Sequence, residues 1–279
     1  MSTGTEWAES VTDLKIVSSR ELSGGYSNHN VLLEMSDGAR LVLRRYRGDN
    51  RCAVEAALAR RLHGVVPVAE VVAADPEAGL LLSVFVDGGP VTDGYPVGVT
   101  LARIGSVTFD APGFFGGEDL TPSGDELIGG LDAFVDRCLR EGNATGHLTG
   151  DEQKALLRYA AEVTPELNAL QGSRRLVHAD YNPKNLLAVD GRVTAVLDWE
   201  FAFSSSPLFD VGNMLRDPRP PGFSDDFLRG FRDGGGELPG DWRRLSAALD
   251  LYSLADFLTR PVEHRYFGKA VAHIRELVR

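Results

Sequence analysis

The sequence predicts an α+β protein of two unequal lobes: a small β-rich N-terminal lobe, residues 1–87, and a larger, mainly helical lobe, residues 88–279. Three observations carry this. Residues 31–46 hold two apolar runs, VLLEM and RLVLRRY, around the turn Ser36-Asp37-Gly38, a β-hairpin signature. From residue 125 onward apolar residues recur at helical spacing, as Leu127, Leu131, Phe134, Val135, Cys138 and Leu139 do. Between these regions Asp87-Gly88-Gly89-Pro90 interrupts the chain by its turn chemistry.

In chain order, LKIVSSREL (14–22) reads as a strand that leads into the polar loop 23–30 and then into the hairpin. Asn50 is placed to cap a helix in RCAVEAALARRLHG (51–64), which Gly64 ends. VAEVVAAD (68–75) and GLLLSVFV (79–86) read as strands joined by Asp75-Pro76-Glu77. Helices are expected over 125–142, 151–171, 224–232, 241–260 and 262–278, with one hairpin, LLAV-DG-RVTAVL (186–197), among them.

Composition narrows the class. The 279 residues carry 29 Lys+Arg against 40 Asp+Glu, a net charge of −11, with a pI of about 5.0. Such a balance argues against a nucleic-acid partner, which selects a basic surface. No apolar run reaches the ~18 residues of a membrane span, and MSTGTEWAESVTD has no signal-peptide core. Two cysteines, Cys52 and Cys138, stand without metal-type spacing, so a cytoplasmic protein is expected. Neither a Gly-x-x-x-x-Gly-Lys phosphate loop, a Gly-x-Ser-x-Gly elbow nor a His-Glu-x-x-His pair occurs.

The chemistry concentrates in LVHADYNPKNLLAVDGRVTAVLDWEF (176–201). With the turn centred between Asp190 and Gly191, Asn185 is expected opposite Val196, and Asp198 falls two residues beyond. Diagonal neighbours in a sheet lie ~7–8 Å apart at Cα, so an amide and a carboxylate can converge there on a hard cation such as Mg²⁺. Asp180 enters the same end from the preceding loop. One carboxylate to orient a hydroxyl, with an amide and a carboxylate to hold a metal, suits phosphoryl transfer.

His178-x-Asp180-x-x-x-x-Asn185 followed by Asp198 resembles the catalytic loop and metal-binding Asp shared by protein kinases and small-molecule kinases of the aminoglycoside phosphotransferase and choline kinase type. HADYNPKN and LDWE stand closer to the small-molecule branch, and the resemblance runs from the loop at 23 to the Asp210 region. It implies a protein-kinase-like fold, ATP as co-substrate and Mg²⁺ as cofactor. It implies Asp180 as catalytic, His178 as orienting the loop, and Asn185 and Asp198 as metal ligands. The loop Ser23, Gly24, Gly25, Ser27 and Asn28 would cover the phosphates, as backbone donors and small side chains allow.

The family also needs a cation from the third strand, paired to a Glu on the next helix. Here that is Arg44 with Glu55, or else the neighbouring Arg45, and Glu55 has an ordinary surface pair as its alternative. Backbone groups of Val84 and Val86 would read the adenine edge, with Ser83 at the gatekeeper position. Asp210 would brace the catalytic loop, cap a helix, or both. Asn182 departs from the pattern where protein kinases carry Lys and many antibiotic kinases His; Lys184 is the substitute candidate for reaching the phosphate.

Only residues 199–209 separate Asp198 from Asp210, too few for a peptide-presenting segment, and no Ala-Pro-Glu follows. The acceptor is therefore expected to be a small hydroxylated molecule. Residues 110–152 carry ten acids against Arg137 and Arg140, a net of −8, which reads either as a field favouring a cationic acceptor or as a solvated face. Trp199 and Glu200, aromatic plus carboxylate, would suit a cationic amine, with Asp256 as a further acceptor-site candidate. The reading is transfer of a γ-phosphoryl group from ATP to a small cationic alcohol such as an aminoglycoside-like antibiotic. The alternatives are a metabolic kinase of choline, ethanolamine or another amino alcohol or sugar, and a pseudokinase that binds nucleotide without turnover.

Overall fold

The computed structural model describes residues 4–22, 28–123 and 130–279, so Ser23, Gly24, Gly25 and Ser27 lie outside the described residues. A first helix, α1 (Gly4–Thr12), precedes a five-stranded antiparallel sheet of β1 (Ile16–Glu21), β2 (Asn28–Met35), β3 (Arg40–Tyr46), β4 (Val71–Asp75) and β5 (Leu80–Val84). The spatial order is β1-β2-β3-β5-β4, with α2 (Cys52–Leu62) between β3 and β4. The β2–β3 hairpin forms where expected: Gly38 takes φ +88°, and the Asp37 carboxylate accepts the Ala39 N–H at 2.9 Å.

Alternation then assigns the faces of β3. Leu41 and Leu43 pack with Leu33, Met35, Leu80 and Leu82 against Ala8 of α1, while Tyr46 joins Cys52 and Ala56 of α2 on the other side. Arg44 shares the α2 face and Arg45 is exposed, so Arg44 is the one placed beside Glu55. Helix α1 was not expected. Its single buried apolar anchor, Ala8, is too weak a period to read from a short acidic segment.

The chain crosses to the second part beside β6 (Gly89–Pro90), which pairs with Leu187 and Ala188. Gly88 is required there, because a Cβ would meet the Leu187 Cβ at 2.8 Å. The remainder comprises α3 (Gly94–Ser106), β7 (Gly113–Phe115), β8 (Pro122–Ser123), α4 (Leu131–Glu141), α5 (Gly150–Leu167), β9 (Arg175–Val177), β10 (Leu186–Val189), β11 (Arg192–Val196), β12 (Phe203–Ser205), α6 (Leu208–Leu215), α7 (Phe223–Asp233), α8 (Trp242–Phe257) and α9 (Phe267–Leu277). Helix α3 was also missed. Gly94 and Gly98 look like breakers in sequence, yet they let α3 touch α7 at backbone distance: a Cβ on Gly98 would lie 2.0 Å from the Phe227 carbonyl.

Several expected bounds shift. Helix 151–171 gives way at Leu167 to a 3-10 turn, Asn168–Leu170, and helix 262–278 starts at Phe267. The 186–197 hairpin carries a bulge: Val189 pairs with Arg192 and Ala188 with Val193, but Leu187 pairs with Ala195 and Leu186 with Val196. Asn185 therefore faces Leu197, whose N–H it accepts at 2.8 Å, rather than Val196. The extra residue brings Asn185 one step closer to Asp198 than simple register predicts.

One apolar core joins the helices of the second part, and it includes Val54, Leu58 and Leu62 of α2. Helix α2 is thus apolar on two sides, one toward its own sheet and one toward the catalytic part.

Candidate active site

The catalytic loop is built between β9 and β10. Asp210, fully buried in the first turn of α6, accepts the N–H groups of His178 (2.7 Å) and Ala179 (2.8 Å). Burial pushes its carboxyl up to about 7, against the two N–H donors that favour the charged form. Ala179 holds the left-handed region at φ +69°, a position that persists only under such outside support. The α6 helix begins two residues before Asp210, so Asp210 braces the loop rather than capping the helix.

His178 is buried, and its imidazole ties two segments together. Nδ1 accepts the Asp180 N–H at 3.2 Å and Nε2 donates to the Leu197 carbonyl at 2.8 Å, which fixes the Nε2–H tautomer. Burial holds its pKa below the ordinary histidine value, so the ring is neutral. The ring thus links the 178–185 loop to the segment that follows β11.

Asp180 is surrounded by donors. Asn182 Nδ2 lies 2.7 Å from Oδ1; Asn185 Nδ2 lies 2.8 Å and Lys184 Nζ 2.9 Å from Oδ2. Because Asn185 donates through Nδ2, its Oδ1 is the atom left for a cation. Across the cleft Arg44 joins three elements. Its guanidinium donates to both Glu55 oxygens (2.9 and 2.7 Å), to Asn30 Oδ1 (3.1 Å) and to Asp198. Burial opposes the Arg44 charge, but Glu55 and Asp198 outweigh it and raise its pKa above the ordinary value. Glu55 also accepts the Trp199 N–H at 3.0 Å and the Tyr46 hydroxyl. This buried, hydrogen-bonded pair replaces the solvated surface pair that was its alternative. Asp198, at φ +63°, is turned toward this cluster.

No group of three or more His, Cys, Asp or Glu side chains gathers as for a metal among the described residues. The fit for Mg²⁺ rests instead on the Asn185 amide oxygen and the Asp198 carboxylate. Mg²⁺ takes few protein oxygens and completes its shell with phosphate and water, so the donor set suits it.

Several of the expected site residues are engaged with other partners. Trp199 and Glu200 do not form an open cation box. Trp199 is buried against His178 (ring centroids 4.6 Å), its indole N–H donating to the Val196 carbonyl at 3.0 Å. Glu200 is buried and accepts from Asn28 Nδ2 at 2.7 Å. Asn28 is by the same bond engaged with a carboxylate rather than free for phosphate. The Val84 N–H donates to the Glu70 carbonyl at 2.8 Å, so it is engaged within the sheet, and Val86 sits half-buried on the connecting segment. Asp256 pairs with Arg260 at 3.0 Å one turn away, and no hydrogen bond or ion pair joins it to Asp180 among the described residues. The acids of 110–152 are partly paired as well, Asp136 with Arg140 (2.7 Å) and Glu152 with Arg275 (2.8 Å).

Sequence reasoning missed Tyr46, Asn30 and the Tyr266 contact to Lys184 (3.0 Å). For Asn30 a signal existed, since the hairpin register sets it opposite Arg44. Tyr266, with Tyr252 and His264, stands among the further acceptor-site candidates the sequence offers, but its contact to Lys184, 82 residues away, had no signal.

An antiparallel sheet whose buried arginine meets Asp198 just past a β-hairpin, with the His178–Asn185 loop at the same hairpin's other strand, is the arrangement of a kinase-type phosphotransferase. Comparison with known proteins agrees. The family model "Phosphotransferase enzyme family" (APH) matches residues 18–248, and the chain belongs to this family. A hygromycin-B 4-O-kinase of Escherichia coli is 40% identical over 55 residues, 20% of this chain and 14% of that protein's length. Among solved structures, aminoglycoside phosphotransferase APH(4)-Ia is similar with a TM-score of 0.71 at 18% identity, covering 98% of this chain and 96% of that one. Macrolide 2'-phosphotransferase MphH of Brachybacterium faecium has a TM-score of 0.67 at 18% identity over 97% and 94%. A thermostable mutant of APH(4)-Ia, in ternary complex with ADP and hygromycin B, has a TM-score of 0.68 at 19% identity over 98% and 97%. No helix among the described residues is long and apolar enough to cross a membrane.

Proposed function

We propose that the protein is an ATP- and Mg²⁺-dependent kinase that transfers the γ-phosphoryl group to a hydroxyl of a small cationic molecule, an amino sugar of the aminoglycoside kind being the leading acceptor class. The observation that carries this is a pair of polar clusters at the two strands of one hairpin. Asn185 Nδ2 stands 2.8 Å from Asp180 Oδ2, and Arg44 links Glu55 to Asp198 on the opposite wall. Asp180 orients the acceptor hydroxyl and takes its proton. Asn185 Oδ1 and Asp198 hold Mg²⁺, Arg44 meets the nucleotide phosphates, and Glu55 positions Arg44. Mg²⁺ held by Asn185 and Asp198 would supply charge neutralisation to the transferring phosphates.

Residues 1–87 serve as the nucleotide lobe and 88–279 as the catalytic and acceptor lobe. Support for a cationic acceptor comes from the acidic balance of 110–152 and from the hygromycin B bound by a structural neighbour. Two buried cysteines free of disulfides fit a cytoplasmic setting. The test is ATP consumption by the purified protein with Mg²⁺ across aminoglycosides, macrolides, choline, ethanolamine and free sugars. Turnover with an amino sugar is expected. Turnover confined to choline or ethanolamine would move the assignment to amino-alcohol metabolism, and none with any acceptor would favour the pseudokinase.

A further inference from the structure

We propose that Lys184 is a further catalytic residue, the cation that meets the transferred γ-phosphoryl group, and that Tyr266 positions it; this rests on the phosphotransferase reading above. Lys184 lies on the 3-10 turn Pro183–Asn185, its N–H capped by Asn182 Oδ1 at 3.2 Å. From there Nζ reaches Asp180 Oδ2 (2.9 Å) and the Tyr266 hydroxyl (3.0 Å), and it stands 5.1 Å from the centre of the Tyr266 ring. The side chain remains 42% exposed, so the ammonium sits on the open side of Asp180.

Placement gives the role. Asp180 Oδ2 is contacted by Asn185 Nδ2 and Lys184 Nζ together. A phosphoryl group bridging a hydroxyl on Asp180 to the Asn185–Asp198 side therefore lies beside Nζ, which its four-carbon stem leaves free to follow. Asn182 is unsuited to the task. Its amide is uncharged and is engaged with Asp180 and with the Lys184 backbone. In the transfer, a bond forms between the acceptor oxygen and the γ-phosphorus, and the bond to the β–γ bridging oxygen breaks. The hydroxyl proton passes to Asp180 and ADP leaves. Lys184 changes no bond and stays an ammonium, countering charge on the equatorial oxygens.

The test compares ADP with AMP-PNP, each with Mg²⁺, by titration calorimetry on the full chain, with thermal melts to verify folding. Lys184→Gln is expected to lose about 10- to 100-fold in AMP-PNP affinity, the scale of a charge-assisted hydrogen bond, while ADP affinity moves less than about threefold. Lys184→Arg is expected to restore most of the AMP-PNP affinity, and Tyr266→Phe to lose a smaller part of it. Equal loss for both nucleotides, or for neither, in Lys184→Gln and Lys184→Arg alike would overturn the placement at the γ-phosphate. If the wild-type protein binds neither nucleotide, the phosphotransferase reading itself fails, and that is seen before any variant is made.

Discussion

Glu55 offers the sharpest perturbation. It is 6% exposed and accepts from Arg44, Tyr46 and the Trp199 N–H. Glu55→Ala leaves Arg44 with Asp198 as its only remaining carboxylate and strips two further donors of their acceptor. Breaking one side of a buried pair costs about 3–5 kcal/mol, and about 2–4 °C per kcal/mol applies at this chain length, so a fall in Tm of roughly 10 °C is expected. Glu55→Gln keeps an acceptor for one donor and is expected to lose less, about 1–3 kcal/mol. The double variant Arg44→Met/Glu55→Met removes both charges together. It is expected to recover most of the stability while failing to bind nucleotide, because the phosphate-facing cation is gone. Circular-dichroism melts and ADP calorimetry read the two quantities separately. A Glu55→Ala protein within 1 °C of wild type, with unchanged ADP affinity, would refute the account of this cluster.

Other outcomes follow from the same geometry. Asp180→Ala is expected to lower phosphoryl transfer by about 10²–10⁴-fold, read as ATP turnover, with ADP affinity preserved; undiminished turnover would remove Asp180 from proton handling. Asp210 binds its proton more tightly folded (about 7) than an unfolded aspartate near 4. Its contribution to stability is thus complete below pH 4 and lost as pH rises through 7, and chemical-denaturation curves of Asp210→Asn should lack that slope between pH 4 and 7. The same variant loses one of the two N–H acceptors under the loop, so turnover falls as well. Gly98→Ala forces a Cβ to 2.0 Å from the Phe227 carbonyl and is expected to destabilise by about 3 kcal/mol, the upper end of overpacking costs, without a direct effect on nucleotide affinity.

Much of this was legible from local chemistry. The xDG turns placed both hairpins, and alternation along β3 separated Arg44 from Arg45 as far as two faces; which face met α2 needed the fold. What stayed hidden was of two kinds. Helix α1 lacked a readable apolar period for want of buried residues, whereas α3 carries Val97, Leu101 and Ile104 at helical spacing but was masked by glycines that serve close packing rather than breakage. At the site, the hairpin bulge moved Asn185 against Leu197, a shift that no pairing rule in the sequence encodes. Trp199 and Glu200 misled for a related reason. An aromatic and a carboxylate side by side suggest a ligand box, but here one packs on His178 and the other holds Asn28, far away in sequence.

Helix α2 carries a consequence for control. Protein kinases switch by moving the helix that bears the glutamate partner of the phosphate-facing cation. Here the corresponding helix is anchored by Val54, Leu58 and Leu62, each at most 2% exposed, in the core of the catalytic part. Swinging it outward would expose all three side chains, at about 1.5–3 kcal/mol apiece, in addition to breaking the Glu55 bonds. The Arg44–Glu55 contact is therefore held by apolar packing of α2 as well as by its own hydrogen bonds. A helix that carries the glutamate partner and is itself part of the larger core ties the geometry of the Arg44 cluster to the stability of the whole fold.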